Sequence, residues 1–288
     1  MKQVCKQHWA LVKSPGVDAE RGLYYTGVLA MYEATQKKKY FKALVGVGFE
    51  TGWATGPQLS EPATHLIAQT YLDMHRLSGS NSMYFVYQLA IDSLLPHADH
   101  IPIPSSLEMF YVLPALAKLQ GITQDQQYGD LGQKSWKLAQ DQLYFPHKQL
   151  WSKSIEQKAA YDAQSSAWVL AALVRVWHEL HPDSPSKLPL TQMGVDMAEV
   201  YRHYQQTIGL WPKDFANPRG QSHGDPFAST ILCYAFAAGI NQGLLDQSIY
   251  ESHVLSAWQA IEAKEEWTAS EAGIFLMAGA ELLRLFEQ

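Results

Sequence analysis

The sequence predicts an all-α protein built of helices in up-and-down pairs, and three observations carry that prediction. Apolar residues recur at helical spacing in about eleven segments. The alternating apolar/polar pattern of a half-buried strand is almost absent. Several segment pairs also share a texture that returns every ~50–60 residues: an Ala-rich helix, a short Gly/Gln/Asp turn, then a helix bearing Trp or Tyr.

Taken in order, the first helical pattern covers 22–35, where Leu23, Val28, Leu29 and Tyr32 share a face. The run Lys37-Lys38-Lys39 then makes a solvated turn before a helix over 40–49. A helix over 63–77 is broken by Gly79-Ser80-Asn81 and returns over 83–95. The pair 106–119 and 128–143 follows, then 163–180 and 192–204 across a loop holding Pro182, Pro185 and Pro189. The pair 228–240 and 249–263 precedes a terminal helix over 269–286. Two closures suit such pairs, an open superhelix or a ring of hairpins with inner and outer layers. No linker rich in Gly, Ser or Pro divides the chain, so 1–288 is expected to be a single domain.

Composition removes several function classes. The net charge is −6 and Lys and Arg form no long cluster, which argues against a nucleic-acid partner. No segment approaches the roughly 18 apolar residues of a membrane span, and Met1–His8 lacks a signal-peptide core. Two cysteines far apart in sequence, Cys5 and Cys233, make no disulfide framework, and a cytoplasmic location is expected. Gly46-Val47-Gly48-Phe49-Glu50-Thr51-Gly52 has the wrong glycine spacing for a dinucleotide loop, and no Gly-x-Ser-x-Gly elbow occurs. His97-Ala98-Asp99-His100 offers one edge of a metal site that no further motif completes. Neither metal nor cofactor is expected. Loops over 97–105, 145–158 and 211–226 exceed a tight turn, and such loops either build sites or decorate a surface.

Four stretches are more specific. Glu20-Arg21-Gly22-Leu23-Tyr24-Tyr25-Thr26-Gly27-Val28 comes first, then Gly52-Trp53-Ala54-Thr55-Gly56-Pro57 with Gln69-Thr70-Tyr71-Leu72-Asp73. Gly239-Ile240-Asn241-Gln242-Gly243-Leu244-Leu245-Asp246 and Phe275-Leu276-Met277-Ala278-Gly279-Ala280-Glu281-Leu282 follow. In this order they resemble the unsaturated glucuronyl and rhamnogalacturonyl hydrolases, glycoside hydrolase families 88 and 105. The resemblance implies an (α/α)6 barrel. The chain begins late relative to the family pattern, so the first outer helix is expected to be incomplete.

The resemblance also implies a chemistry. A family aspartic acid protonates the C4=C5 vinyl ether of a terminal unsaturated uronic acid, water adds at C5, and the hemiketal collapses. A carboxyl group that can be held protonated in a cleft is therefore required. The family's paired aspartates fall on Ala63 and Thr64, ahead of His65, and its second acidic position falls on Leu107, beside Glu108. Its pocket run of Arg, Gly and Trp reads Gln164-Ser165-Ser166-Ala167-Trp168, without the arginine that would grip a carboxylate. A further Thr-Ser-Gly-Thr-type run reads Pro226-Phe227-Ala228-Ser229-Thr230. Loss of the ancestral reaction is the expectation that follows.

The candidate catalytic residues are Glu61 and Glu108, each of which also reads as a first-turn or capping carboxylate. Candidate sugar contacts are His65, Asp162, Trp168, His223 and Asp225, with packing, N-capping or loop-structuring as the alternatives. Trp53, Trp151 and Trp211 add aromatic surface for a sugar cleft. Three functions compete: a diverged glycoside hydrolase with a relocated acid, a non-catalytic barrel that binds an oligosaccharide or a protein, and a sugar epimerase with paired histidines.

Overall fold

The structure, a computed structural model, describes residues 1–158, 160–217 and 223–286. Two short helices, α1 (Lys2–Gln7) and α2 (Ala10–Lys13), precede α3 (Ala19–Thr35) and α4 (Lys38–Thr51). Then come α5 (Pro62–Ser78), α6 (Ser82–Leu94), α7 (Ser106–Thr123) and α8 (Gln126–Leu143). A two-stranded hairpin, β1 (Tyr144–Phe145) and β2 (Leu150–Trp151), leads to α9 (Ala163–Glu179) and α10 (Lys187–Arg202). The chain ends with α11 (Pro226–Asn241), α12 (Gln247–Glu262) and α13 (Ala269–Phe286).

Helix α3 packs on α5, α5 on α7, α7 on α9, α9 on α11, α11 on α13, and α13 back on α3. The alternate helices α4, α6, α8, α10 and α12 each pack outside the inner helix they follow. The ring is closed, which is the (α/α)6 toroid and not the open superhelix. In the sixth outer position stand α1, against α13, and α2, against α4.

Burial follows from the layering. In α11 every residue from Ala228 to Ile240 is buried, since an inner helix has neighbours on all sides. In α8 only Tyr128, Leu131, Ser135, Ala139 and Leu143 are buried, a single stripe. Alanines on the inner helices, such as Ala171, Ala172, Ala237 and Ala238, let the backbones approach. Closure is tightest between α3 and α13, where a Cβ on Gly27 would lie against the carbonyl oxygen of Gly273.

Two prolines inside helices have local explanations. Helix α10 begins before Pro189, because a proline in the first turn removes an N–H that has no helical partner anyway. Helix α7 continues through Pro114, whose missing N–H leaves a carbonyl of the preceding turn unbonded. Gln69 of α5 compensates: its buried amide donates to Phe110 O and Tyr111 O, both at 2.8 Å.

Candidate functional site

Because inner and outer helices alternate along the chain, the six inner helices run parallel and their N-termini gather at one end of the ring. The connections differ accordingly. Those entering inner helices span 52–61, 95–105, 152–162 and 203–225, whereas those leaving them are as short as 36–37 or 124–125. The long segments are tied to the helix starts. Ser105 bridges to Ser154, Asp162 to Asp214 and Pro212 to Gly224, and Ser106 Oγ donates to Ser152 O at 2.7 Å. This end is the mouth of the ring.

Parallel N-termini give the mouth positive potential, roughly half an elementary charge per helix. Acidic side chains answer it as caps. Asp18 accepts from Arg21 N at 3.0 Å, and Asp162 accepts from Ser165 N at 2.7 Å and Ser165 Oγ at 2.5 Å. Asp225 accepts from Phe227 N and Ala228 N, while its other oxygen takes Gln164 Nε2 at 2.9 Å, which joins α9 to α11. Thr268 and Glu271 cap α13 reciprocally. Helix α5 differs, since Glu61 stands at its N-cap position without a side-chain capping bond and is exposed.

The seven candidate residues therefore separate. Asp162 and Asp225 hold helix ends, and His223 is exposed on the rim; Gly220, Gln221 and Ser222 of the same loop lie outside the described residues. Trp168 is buried between Phe110, at 4.9 Å between ring centroids, and Phe227, at 5.9 Å. Trp53, Trp151 and Trp211 are buried as well, and Trp211 Nε1 donates to Tyr201 O at 2.7 Å. These four indoles fill the space between helices and present no open face, which corrects the expectation of an aromatic-lined cleft. Phe227 is a half-exposed aromatic at the mouth, as is Tyr161; the signal for Phe227 was an aromatic residue in the first turn of an inner helix.

Glu108 lies in the first turn of α7, half-buried, with its backbone N–H on Ser105 Oγ at 3.4 Å. Burial holds its carboxyl above the ordinary carboxylate value, although the Ser105 hydroxyl works the other way. The buried phenol of Tyr111 stands nearby, raised mainly by its own burial and further by this carboxylate. At the positions aligned with the family aspartates, Thr64 Oγ1 donates to Gln58 O at 2.8 Å, and Leu107 is half-buried. Arg21, a guanidinium at this end, is committed to Asp18 at 2.5 Å and to Ser14 O at 3.3 Å.

His65 is fully buried, with Nε2 2.9 Å from Leu59 O and Nδ1 2.8 Å from the Tyr87 hydroxyl. A carbonyl only accepts, so Nε2 carries the proton and Nδ1 accepts from Tyr87. Neither nitrogen is free for a sugar hydroxyl. Burial pushes its pKa down to about 4 from 6.5. The unfolded chain thus takes up a proton that the fold refuses. Stability should be full above pH 6.5 and fall as pH drops towards 4, by roughly 3 kcal/mol in all. His65→Gln should flatten that part of the curve in urea titrations run at several pH values. An unchanged slope would mean that His65 is not the group responsible.

Comparison with known proteins agrees with this architecture. A sequence profile of Glycosyl Hydrolase Family 88 matches residues 2–279. An unsaturated 3S-rhamnoglycuronyl hydrolase of Formosa agariphila is 22% identical, over 94% of this chain and 85% of its own length. A second protein of that description, from an Alteromonas species, is 23% identical over 68% of this chain and 55% of its own. Among solved structures, a glycosyl hydrolase family 88 protein from Bacteroides vulgatus superposes with a TM-score of 0.88 at 16% identity, covering 99% of this chain and 98% of its own. With the closed ring, its layered helices and a profile match that spans nearly all of it, the chain belongs to glycosyl hydrolase family 88.

Proposed function

We propose that the protein binds uronate-containing oligosaccharides at the mouth of the ring and no longer performs the ancestral vinyl-ether hydration. The observation that carries this reading is the use made of the mouth's aspartates. Asp18, Asp162 and Asp225 are spent as N-caps, while Ala63, Thr64 and Leu107 occupy the positions aligned with the family's acids. A carboxylate engaged with backbone N–H groups at a helix start is turned to the helix and not to a substrate. The six N-termini still favour an anion, and at the start of α5 no side chain occupies the capping position with a bond of its own. The sugar class follows from the relatives, two of which are named for unsaturated rhamnoglycuronyl substrates. Among the described residues no helix is long and apolar enough to cross a membrane. A cytoplasmic location is part of the proposal.

Glu108 supports a second reading, that of a hydrolase with a relocated acid. It is a half-buried mouth carboxyl raised by burial, as a proton donor to C4 must be. In that reaction the Glu108 proton passes to C4, water adds its oxygen to C5, and the water's proton returns to the carboxylate.

One experiment separates the two. The protein is mixed with unsaturated oligosaccharides from several polysaccharide lyases, and the ultraviolet absorbance of the double bond is followed. The expected result is no loss of absorbance, together with a raised melting temperature from at least one of the sugars. A loss that disappears in Glu108→Gln or Glu61→Gln would establish relocated acid chemistry and overturn the binding reading.

A further inference from the structure

At the end of the ring opposite the mouth, the hairpins α7–α8 and α9–α10 part to leave a groove of about 1060 Å³. That is just above the range for small-ligand sites, roughly 300–1,000 Å³. Gln120, Gln124, Gln126, Gln133 and Gln140 all line it. Each side-chain amide offers two N–H donors and an acceptor oxygen. Gln120 donates to Gln126 Oε1 at 3.0 Å, and Gln133 reaches across to Ser186 Oγ at 2.7 Å. These bonds use one donor on each glutamine and hold its amide in place. Trp136, half-buried in the lining, adds an indole, the group on which the C–H face of a pyranose stacks.

Charge points the same way. The groove's guanidinium and a buried carboxylate, Arg76 and Glu179, are closed on each other at 2.8 and 2.5 Å. At the rim His181 faces Asp183 at 3.6 Å. The lining is therefore rich in amides and poor in uncompensated charge, which suits neither a polyanion nor a polycation.

A glycine supplies the independent observation. Two glycines of α8 line the groove, and they differ. At Gly129 a Cβ would meet the end of the Gln120 side chain, which would have to swing aside. At Gly132 the nearest heavy atom to a Cβ would be Leu116 Cβ at 3.6 Å, an ordinary contact. Glycine inside a helix is less favourable than alanine by roughly 0.8–1 kcal/mol. At Gly132, as at Gly46 of α4, no clash excludes a side chain; on α8 this leaves bare backbone in the lining of the groove, against which a ligand can lie.

We infer that this groove binds a neutral oligosaccharide along α8, over Gly132, with the glutamine amides on its hydroxyls and Trp136 beneath a ring. The site is separate from the mouth, and neither reading depends on the other. The test is calorimetric titration of the full chain with cellopentaose, xylopentaose, mannopentaose and laminaripentaose, alongside a blocked pentapeptide. At least one sugar should bind the wild type. Gly132→Leu, which fills the floor, and Gln133→Ala, which removes a wall amide, should each weaken that binding about tenfold or more. Phe227→Ala at the mouth should leave it unchanged. Melting temperatures show that the variants are folded, and Gln133→Ala keeps the test decisive should Gly132→Leu misfold. The inference is overturned by silence across the sugars, by preference for the peptide, or by binding that both groove variants leave intact. Binding lost only in Phe227→Ala would overturn it too, while leaving the mouth reading in place.

Discussion

Glu179→Gln is expected to lower the free energy of unfolding at pH 7 by about 3–5 kcal/mol, the range for breaking a buried ion pair by removing one partner. Glu179 lies near the C-terminus of α9 with its side chain 4% exposed. Arg76 grips both its oxygens, and Lys118 Nζ lies 3.1 Å from Oε1. Lys118 also bonds Asp73 at 2.6 Å, and Arg175 approaches Asp73 at 3.6 Å. A glutamine keeps the shape and leaves three cations facing a single carboxylate. The titration gives a second route to the same magnitude. Although burial alone would raise it, Lys118 and Arg76 hold the Glu179 carboxyl down to about 2 from 4.5. That shift corresponds to roughly 3 kcal/mol. A depressed carboxylate stabilises the fold above its unfolded value and loses that contribution as pH falls. The gap between wild type and variant should therefore be full above pH 4.5 and close as pH approaches 2. Asp141→Asn, which breaks the exposed pair of Lys137 and Asp141, should cost no more than about 1 kcal/mol. A similarly small effect for Glu179→Gln would sink the account of this network.

This network was not legible in the sequence, for a physical reason. Its members sit one or two to a helix: Glu33 on α3, Asp73 and Arg76 on α5, Lys118 on α7, Arg175 and Glu179 on α9, and Glu281 and Arg284 on α13. Locally each reads as an ordinary charge near a helix end. Only closure of the ring brings the C-termini of six parallel helices together, where the cations answer the negative ends of the dipoles. Helix positions were legible, because periodic burial is a local property. The pairing of hairpins was legible as a recurring texture, whereas the choice between ring and superhelix rested on resemblance alone. At the mouth, the capping role of Asp162 could be weighed from its place before Ala163. The commitment of His65 could not, since its partners are set by how α6 and the 52–61 loop pack on α5. The tryptophans misled for a related reason. Indole suits a sugar platform and a helix interface equally, and burial decides between them only after folding.

Ring closure itself is open to a matched test, with Gly273→Ala and Gly46→Ala predicted to have opposite signs. Both glycines lie inside helices, where alanine is intrinsically preferred by roughly 0.8–1 kcal/mol. Around Gly46 a Cβ would meet nothing within 4 Å, so Gly46→Ala should stabilise by about 0.4–1 kcal/mol. Around Gly273 a Cβ would press on the Leu23 carbonyl and lie 2.8 Å from Tyr24 N. These are backbone atoms, which cannot swing aside as a side chain would. Overpacking there should cost about 2–3 kcal/mol, enough to outweigh the propensity gain. The cost falls on α3 and α13, the first and last inner helices, whose contact turns a stack of hairpins into a ring. It also fixes where the start of α3, with Asp18 and Arg21, stands relative to the other inner N-termini. Urea denaturation of the two variants beside wild type measures both signs. If Gly273→Ala instead stabilises as Gly46→Ala does, the α3–α13 interface has slack, and the alignment of the mouth cannot depend on it.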